Sequence, residues 1–258
     1  MRELLDTKDV TAIVDVVASS IAFSVADLPA AKSRVALFIG RAKGDLTTTR
    51  CGPNHVHWVY DTWARANGTG KSLVQKCQDS WFFITADTTF GQSLQANTAA
   101  IIKQAGGTVV GEALAPFPGT TDLSSYIVQA QSSWTKVIGL ANAGTDTAKC
   151  IMQAAKFGVK QQLAGLLFQI ADVHAIGLEQ VKNDQNDGKM KATATNSPLF
   201  NRGLVRADGR VIRDMYLFQV IKSAESKGSW DYYKLRQVIP AAQAFRPMDP
   251  QACKRIRA

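Results

Sequence analysis

Between residues 80 and 170, short apolar runs alternate with segments of helical period, the alternation produced by a parallel sheet covered by helices on both faces. Residues 80–86 (SWFFITA) predict a buried strand. Residues 91–105 predict the helix after it, with Leu94, Thr98, Ile101 and Ala105 on one face and Gly106-Gly107 as its stop. A strand over 108–114 follows, and beyond the turn at 116–119 either Thr121 or Asp122 is placed to cap a helix running through Tyr126 and Ala130. Residues 136–141 (KVIGLA) predict a strand, 145–157 a helix with Thr147, Ile151 and Ala154 aligned, and 163–170 a further strand.

The flanks are less regular. Residues 10–17 and 34–39 predict two strands joined by a helix over 19–32, whose regularity Pro29 limits, and 56–76 predicts a long helix leading into the middle block. Residues 181–197 (VKNDQNDGKMKATATNS) are polar and aperiodic, the composition of a linker. Beyond them, 203–207, 215–221 and 232–239 predict strands, with a turn at Ala207-Asp208-Gly209-Arg210.

Composition narrows the class. With 258 residues, 46% hydrophobic and 20% charged, the chain can bury a core, and disorder, collagen and coiled coil are poor descriptions. No stretch approaches the roughly 20 apolar residues of a membrane span, and the first nine residues lack the apolar core of a secretory signal. The formal charge of +9 raises nucleic acid as a partner, but much of it lies in residues 196–258, where twelve Lys/Arg meet five Asp/Glu. These are spread among strand segments, so a solvated basic face is the better reading and no nucleic acid is expected. Cys51, Cys77, Cys150 and Cys253 are widely spaced, which indicates neither a zinc site nor a dense disulfide framework.

Two motifs imitate chemistry. Gly68-Thr69-Gly70-Lys71-Ser72 looks like a phosphate loop, but Arg65 occupies the earlier glycine position and the run lies in a helical pattern rather than after a strand. His55 and His57 share a strand face without a third ligand, so structural roles are expected for both, and no Ser/His/Asp arrangement can be assembled. Neither an enzyme nor a bound cofactor or metal is expected.

The runs Cys51-Gly52-Pro53-Asn54, His57-Trp58-Val59-Tyr60-Asp61-Thr62, Asp79-Ser80-Trp81-Phe82-Phe83, Phe90-Gly91, Asp122-Leu123-Ser124-Ser125-Tyr126 and Gly139-Leu140-Ala141-Asn142-Ala143-Gly144 are distinctive together. With Ala171-Asp172-Val173-His174 and the later Arg206-Ala207-Asp208-Gly209-Arg210 and Met215-Tyr216-Leu217-Phe218, they resemble the ABC-transporter solute-binding proteins of the branched-chain amino acid (leucine-binding) type. The resemblance implies a two-lobed periplasmic-binding-protein fold of the α/β class, each lobe a parallel sheet flanked by helices. It further implies that an amino acid is held in an interlobe cleft and delivered to a membrane permease, with no chemistry performed, in the periplasm.

Against that family the chain reads as shortened at its N-terminus and internally deleted. It divides into a partial first lobe over 1–60, a second α/β lobe over 61–180, a linker or deletion seam over 181–197, and C-terminal strands over 198–258 that return to the lobes.

A zwitterionic ligand needs main-chain N–H groups and hydroxyls at its carboxylate and an acidic group at its ammonium, and in open α/β sheets the loops after strands supply them. The resemblance puts Ser19 and Ser20 after the first strand, Ala42 in the loop Gly40-Arg41-Ala42-Lys43, and Phe90 after the strand at 80–86. It puts Asn142 and Ala143 after the strand at 136–141, contributing backbone, and Asp172 as counter-charge to the ammonium. Taken from residue type alone, Ser19-Ser20 and Asp172 also suit helix caps, and Phe90 suits core packing. A second expectation, from a different class, is a remnant that binds nothing and oligomerises through exposed sheet edges.

Overall fold

The computed structural model describes residues 2–8, 10–16, 21–22, 25–26, 28, 34–40, 44–52, 54–169, 172–173, 176, 204–206, 208–221, 223–228, 231, 233–249 and 251. The chain divides into two compact units, the first comprising Met1–Ala64, Ala192–Asp214 and Pro240–Ala258 and the second Arg65–Lys191 and Met215–Ile239.

In the second unit, strands β4 (Ser80–Ala86), β5 (Thr108–Ala115), β6 (Val137–Ala141) and β7 (Gln162–Gly165) form one sheet in the order β5-β4-β6-β7. Every pairing is parallel, with Trp81 opposite Val137 and Leu140 opposite Gly165. The central strands β4 and β6 are buried almost throughout, which explains why they read as unbroken apolar runs rather than alternating ones. Trp81 and Phe83 stack within this core, and burying side chains of that size contributes about 1.5–3 kcal/mol each.

Helices α3 (Thr89–Gln104), α4 (Ser124–Ser132) and α5 (Thr145–Lys156) are the crossovers. Thr88 starts α3 by accepting the Gly91 N–H at 3.1 Å. Gly91 itself is required there, since a Cβ would lie 2.2 Å from the Ala86 carbonyl oxygen. The cap position of α4 is held by Leu123 rather than by Thr121 or Asp122, although Asp122, just before it, accepts the Ser124 N–H at 2.9 Å. The Ser124 hydrogen bonds hold its carboxyl below the usual range. Strands β10 (Met215–Val220) and β11 (Tyr233–Ile239) pair antiparallel in the same unit.

In the first unit, β1 (Ala12–Val14), β2 (Val35–Phe38) and β3 (His55–His57) form a parallel sheet in that order. Ile13, Ala36, Phe38 and Leu46 pack in its core. Strands β8 (Leu204–Val205) and β9 (Val211–Ile212) form a small hairpin, turned by Gly209 at a φ of 78°. Its Arg210 bridges His57 in parallel.

Several expectations need correction. The long helix over 56–76 begins only at Thr62, because His55–His57 is strand; it then runs Thr62–Ala66, widens into a π-helical turn over Asn67–Lys71 and resumes as Ser72–Val74, together α2. The strand over 163–170 ends at Gly165. The phosphate-loop look-alike lies inside α2, where Gly70 packs against Thr98 and Ile102 of α3 with room for an ordinary Cβ contact. The C-terminal basic residues are not uniformly a solvated face, for Arg210 and Arg213 are each 1% exposed. Cys51 is disulfide-bonded, while Cys77 and Cys150 are free.

The histidines have structural partners. His55 Nε2 lies 2.8 Å from the Leu46 carbonyl oxygen, and its ring meets Phe38 edge-on. His57 Nδ1 lies 2.8 Å from Arg210 Nη1. Among the described residues, no group of three His, Cys, Asp or Glu side chains could hold a metal ion, and no helix is long and apolar enough to cross a membrane.

Candidate functional site

Because β5, β4, β6 and β7 are all parallel, their carboxyl ends lie along one edge of the sheet. The loops leaving that edge carry four of the seven residues proposed from sequence: Phe90 after β4, Asn142 and Ala143 after β6, and Asp172 after β7. Strands β4, β6 and β7 are neighbours, so the structure gathers these loops at one place within the second unit. Ser19, Ser20 and Ala42 lie outside the described residues.

Each loop ends in the start of a helix, which places main-chain N–H donors and partial positive charge on the same edge. After β4, Asp87 N–H donates to the Ala115 carbonyl at 2.8 Å, and Phe90, half-buried, is the second residue of α3. After β6, Gly144 caps α5 at a φ of 59° and a ψ of −133°, a conformation that an L side chain would strain. Ala143, just before it, is half-buried.

The Asn142 side chain is committed to the interior. It is 2% exposed, its Oδ1 accepts the Thr147 hydroxyl at 2.7 Å, and its Nδ2 donates to Cys150 Sγ at 3.3 Å. These internal bonds leave the Asn142 side chain facing the core rather than the strand-end edge. Burial pushes the Cys150 thiol up to about 12, partly offset by the Asn142 hydrogen bond, so it is an inert core group.

Asp172 behaves differently. Its Oδ2 accepts the Gln169 N–H at 2.8 Å, the side-chain half of a capping box, while its own N–H donates to the Gln169 main-chain carbonyl at 3.0 Å in an ordinary turn. The helix-cap role and a counter-charge role are therefore compatible, since Oδ1 makes no hydrogen bond among the described residues. Burial raises its pKa above the ordinary value, against the pull of the Gln169 N–H and the Arg65 charge.

Arg65 is the residue that sequence reasoning missed. It enters from α2, is 1% exposed, and donates from Nη1 to the Leu166 carbonyl at 2.8 Å, directly after β7. A buried guanidinium thus holds the strand-end loop that leads to Asp172 and supplies a positive field to that carboxylate. Its signal was present as a lone charge on the apolar run Trp63-Ala64-Arg65-Ala66, read only as a defect in a phosphate loop.

The arrangement offers donors at helix starts, a half-buried aromatic ring and one partly desolvated carboxylate. It provides for gripping a small molecule with both an anionic and a cationic end, and it brings together no nucleophile with an adjacent base.

A family model described as periplasmic binding protein matches residues 1–185. A solved periplasmic binding protein from Burkholderia mallei is 34% identical with a TM-score of 0.85, the match covering 99% of this chain and 82% of that one. A branched chain amino acid ABC transporter periplasmic ligand-binding protein from Burkholderia xenovorans is 24% identical at a TM-score of 0.81, covering 95% and 81%. A leucine-, isoleucine-, valine-, threonine- and alanine-binding protein from Brucella ovis, in a closed conformation, is 15% identical at a TM-score of 0.79, covering 98% and 83%. The last two likenesses bear on the fold alone. No curated protein matches the chain.

Proposed function

As the chain belongs to the periplasmic binding protein family, we propose that it binds an amino acid of the branched-chain type, or a small amphiphile related to one, and delivers it to an ABC-transporter permease. The observation that carries this reading is Asp172, a half-buried carboxylate whose Oδ1 makes no hydrogen bond among the described residues, standing on the same sheet edge as the helix starts after β4 and β6. The carboxylate answers the ligand's ammonium, and the N–H groups at the starts of α3 and α5 answer its carboxylate. Phe90 supplies apolar contact for the side chain.

In this reading Asn142 and Ala143 act through their backbone, and Ser19, Ser20 and Ala42 are proposed as further ligand contacts. The protein performs no covalent chemistry; it works by stabilising its liganded state in proportion to ligand affinity. A periplasmic location fits the Cys51 disulfide, because such bonds persist in oxidising compartments.

Thermal-shift screening against leucine, isoleucine, valine, aromatic amino acids and small amides tests the proposal. A ligand at 100 times its dissociation constant adds about 2.7 kcal/mol of stability. A cooperative unfolding transition that none of these moves would favour instead a remnant without a ligand.

A further inference from the structure

The first unit contains a second charged cluster, unrelated to the strand ends of the second. Arg210 and Arg213 flank β9, and both are 1% exposed. Arg210 lies with its guanidinium carbon 4.3 Å from the centre of the Phe245 ring. Its Nη1 donates to His57 Nδ1 at 2.8 Å and stands 3.6 Å from Asp61 Oδ2. A guanidinium has no acceptor, so His57 must present a lone pair at Nδ1 and brings no positive charge to this contact.

The carboxylates nearby are spoken for. Asp208 receives Arg206 through both oxygens, at 3.0 and 2.6 Å, and the Arg210 N–H at 3.2 Å. Asp61 accepts the Ala64 N–H at 2.7 Å and faces Arg210. Asp214 accepts the Ala241 N–H at 2.8 Å. Among the described residues Arg213 has only the Trp58 carbonyl, at 3.2 Å. Its Nε and Nη2, and those of Arg210, are buried without hydrogen-bond partners.

Arg206 and Arg210 thus have ion-pair partners in Asp208 and Asp61, whereas among the described residues Arg213 has none. Desolvation, aided by the neighbouring Arg210 charge, pulls Arg213 down to about 10, which leaves it protonated at neutral pH. An enclosed cation with no counter-charge is among the costliest arrangements a fold can hold. Nε and Nη2 together form one edge of a guanidinium, presenting two parallel N–H groups suited to a single acceptor.

We propose that the first unit holds a small monovalent anion, chloride in physiological medium, against the open guanidinium edges of Arg213 and Arg210. One negative charge answers the unpaired Arg213 guanidinium, and the burial of both side chains selects an ion of halide size over a bulky organic one. The ion is a structural ligand, bound independently of any amino acid at the strand ends of the second unit.

Bromide is the probe. Thermal unfolding of the full chain is followed in sodium bromide and in sodium gluconate, whose anion is too large to enter, at equal ionic strength. Bromide should raise Tm saturably, by about 4 °C at ten times its half-saturating concentration, and crystals grown in bromide should show an anomalous peak within hydrogen-bond reach of Arg213. Arg213→Met removes the unpartnered guanidinium with little change in volume, and its Tm should no longer distinguish the two salts. Equal Tm in both salts for the native protein, or no anomalous peak beside Arg213, overturns the proposal even if the variant fails to fold, and so does a variant that folds and keeps the bromide response.

Discussion

Thr147 donates its hydroxyl hydrogen to the side-chain oxygen of Asn142 at 2.7 Å, and both residues are buried where β6 gives way to α5. With the Asn142 amide donating to Cys150, the turn that exposes Ala143 is fastened to the core by two side-chain bonds. The shape of the proposed binding edge here thus depends on a residue that does not itself face a ligand.

Thr147→Val should remove the donor while keeping the volume, leaving Asn142 Oδ1 buried without its partner. A loss of about 1–3 kcal/mol in denaturant unfolding is expected. A change below the error of the measurement would mean that the turn is held by other contacts.

Gly91→Ala should be more damaging than its size suggests. The added methyl carbon would lie 2.2 Å from the Ala86 carbonyl and 3.0 Å from that of Ala141, both main-chain atoms at the binding edge. Displacing the start of α3 should cost about 1–3 kcal/mol and weaken amino-acid binding as well, whereas Gly228→Ala, with open space around it, should alter neither.

The thiols of Cys77 and Cys150 should separate cleanly. Cys77 is exposed, while Cys150 is held at about 12 by burial. At pH 8 a thiol reagent should modify Cys77 in the native protein and reach Cys150 only on unfolding, as mass spectrometry of the labelled peptides would show. Reduction of the Cys51 disulfide should lower stability by about 2–5 kcal/mol in the same unfolding assay.

Asp172 sets a pH signature. Burial raises its pKa in the folded protein, so the folded state binds protons more readily than the unfolded one, and its contribution to stability falls as pH rises through that window. Ligand affinity runs the other way, because an ammonium needs the ionised carboxylate. Affinity for an amino acid should be level at neutral pH and weaken as pH falls through the raised value, and Asp172→Asn should abolish that dependence while lowering affinity throughout. Calorimetric titrations between pH 7 and 4 would reveal an unchanged pH profile in the variant if Asp172 is only a cap.

Much of the second unit was legible because its central strands are buried on both sides. The sequence reading of β4 coincides with its observed span, and β5, β6, α3 and α5 fall within two residues at either end. The first unit was not, since β1 and β3 are three residues each and carry little pattern. In particular, His57 N–H donates to the Gly209 carbonyl at 2.8 Å, a pairing so distant in sequence that no local period could announce it. The candidate site follows the same division. Phe90, Asn142, Ala143 and Asp172 could be singled out because they follow strands, whereas Arg65 stood out only as a misfit to a phosphate loop and Arg213 only as one charge of a basic segment, and neither pattern announces burial.

The claim that the strand-end edge grips a zwitterion is tested most directly by titrating leucine, isoleucine and valine into the native protein and into Asp172→Asn by calorimetry at pH 7. Saturable one-to-one binding of at least one of them, weakened tenfold or more in a variant that still unfolds cooperatively, is the result predicted here, the tenfold factor corresponding to about 1.4 kcal/mol. Binding of equal strength in both proteins, or no heat from any of the three with the native protein folded, would contradict it.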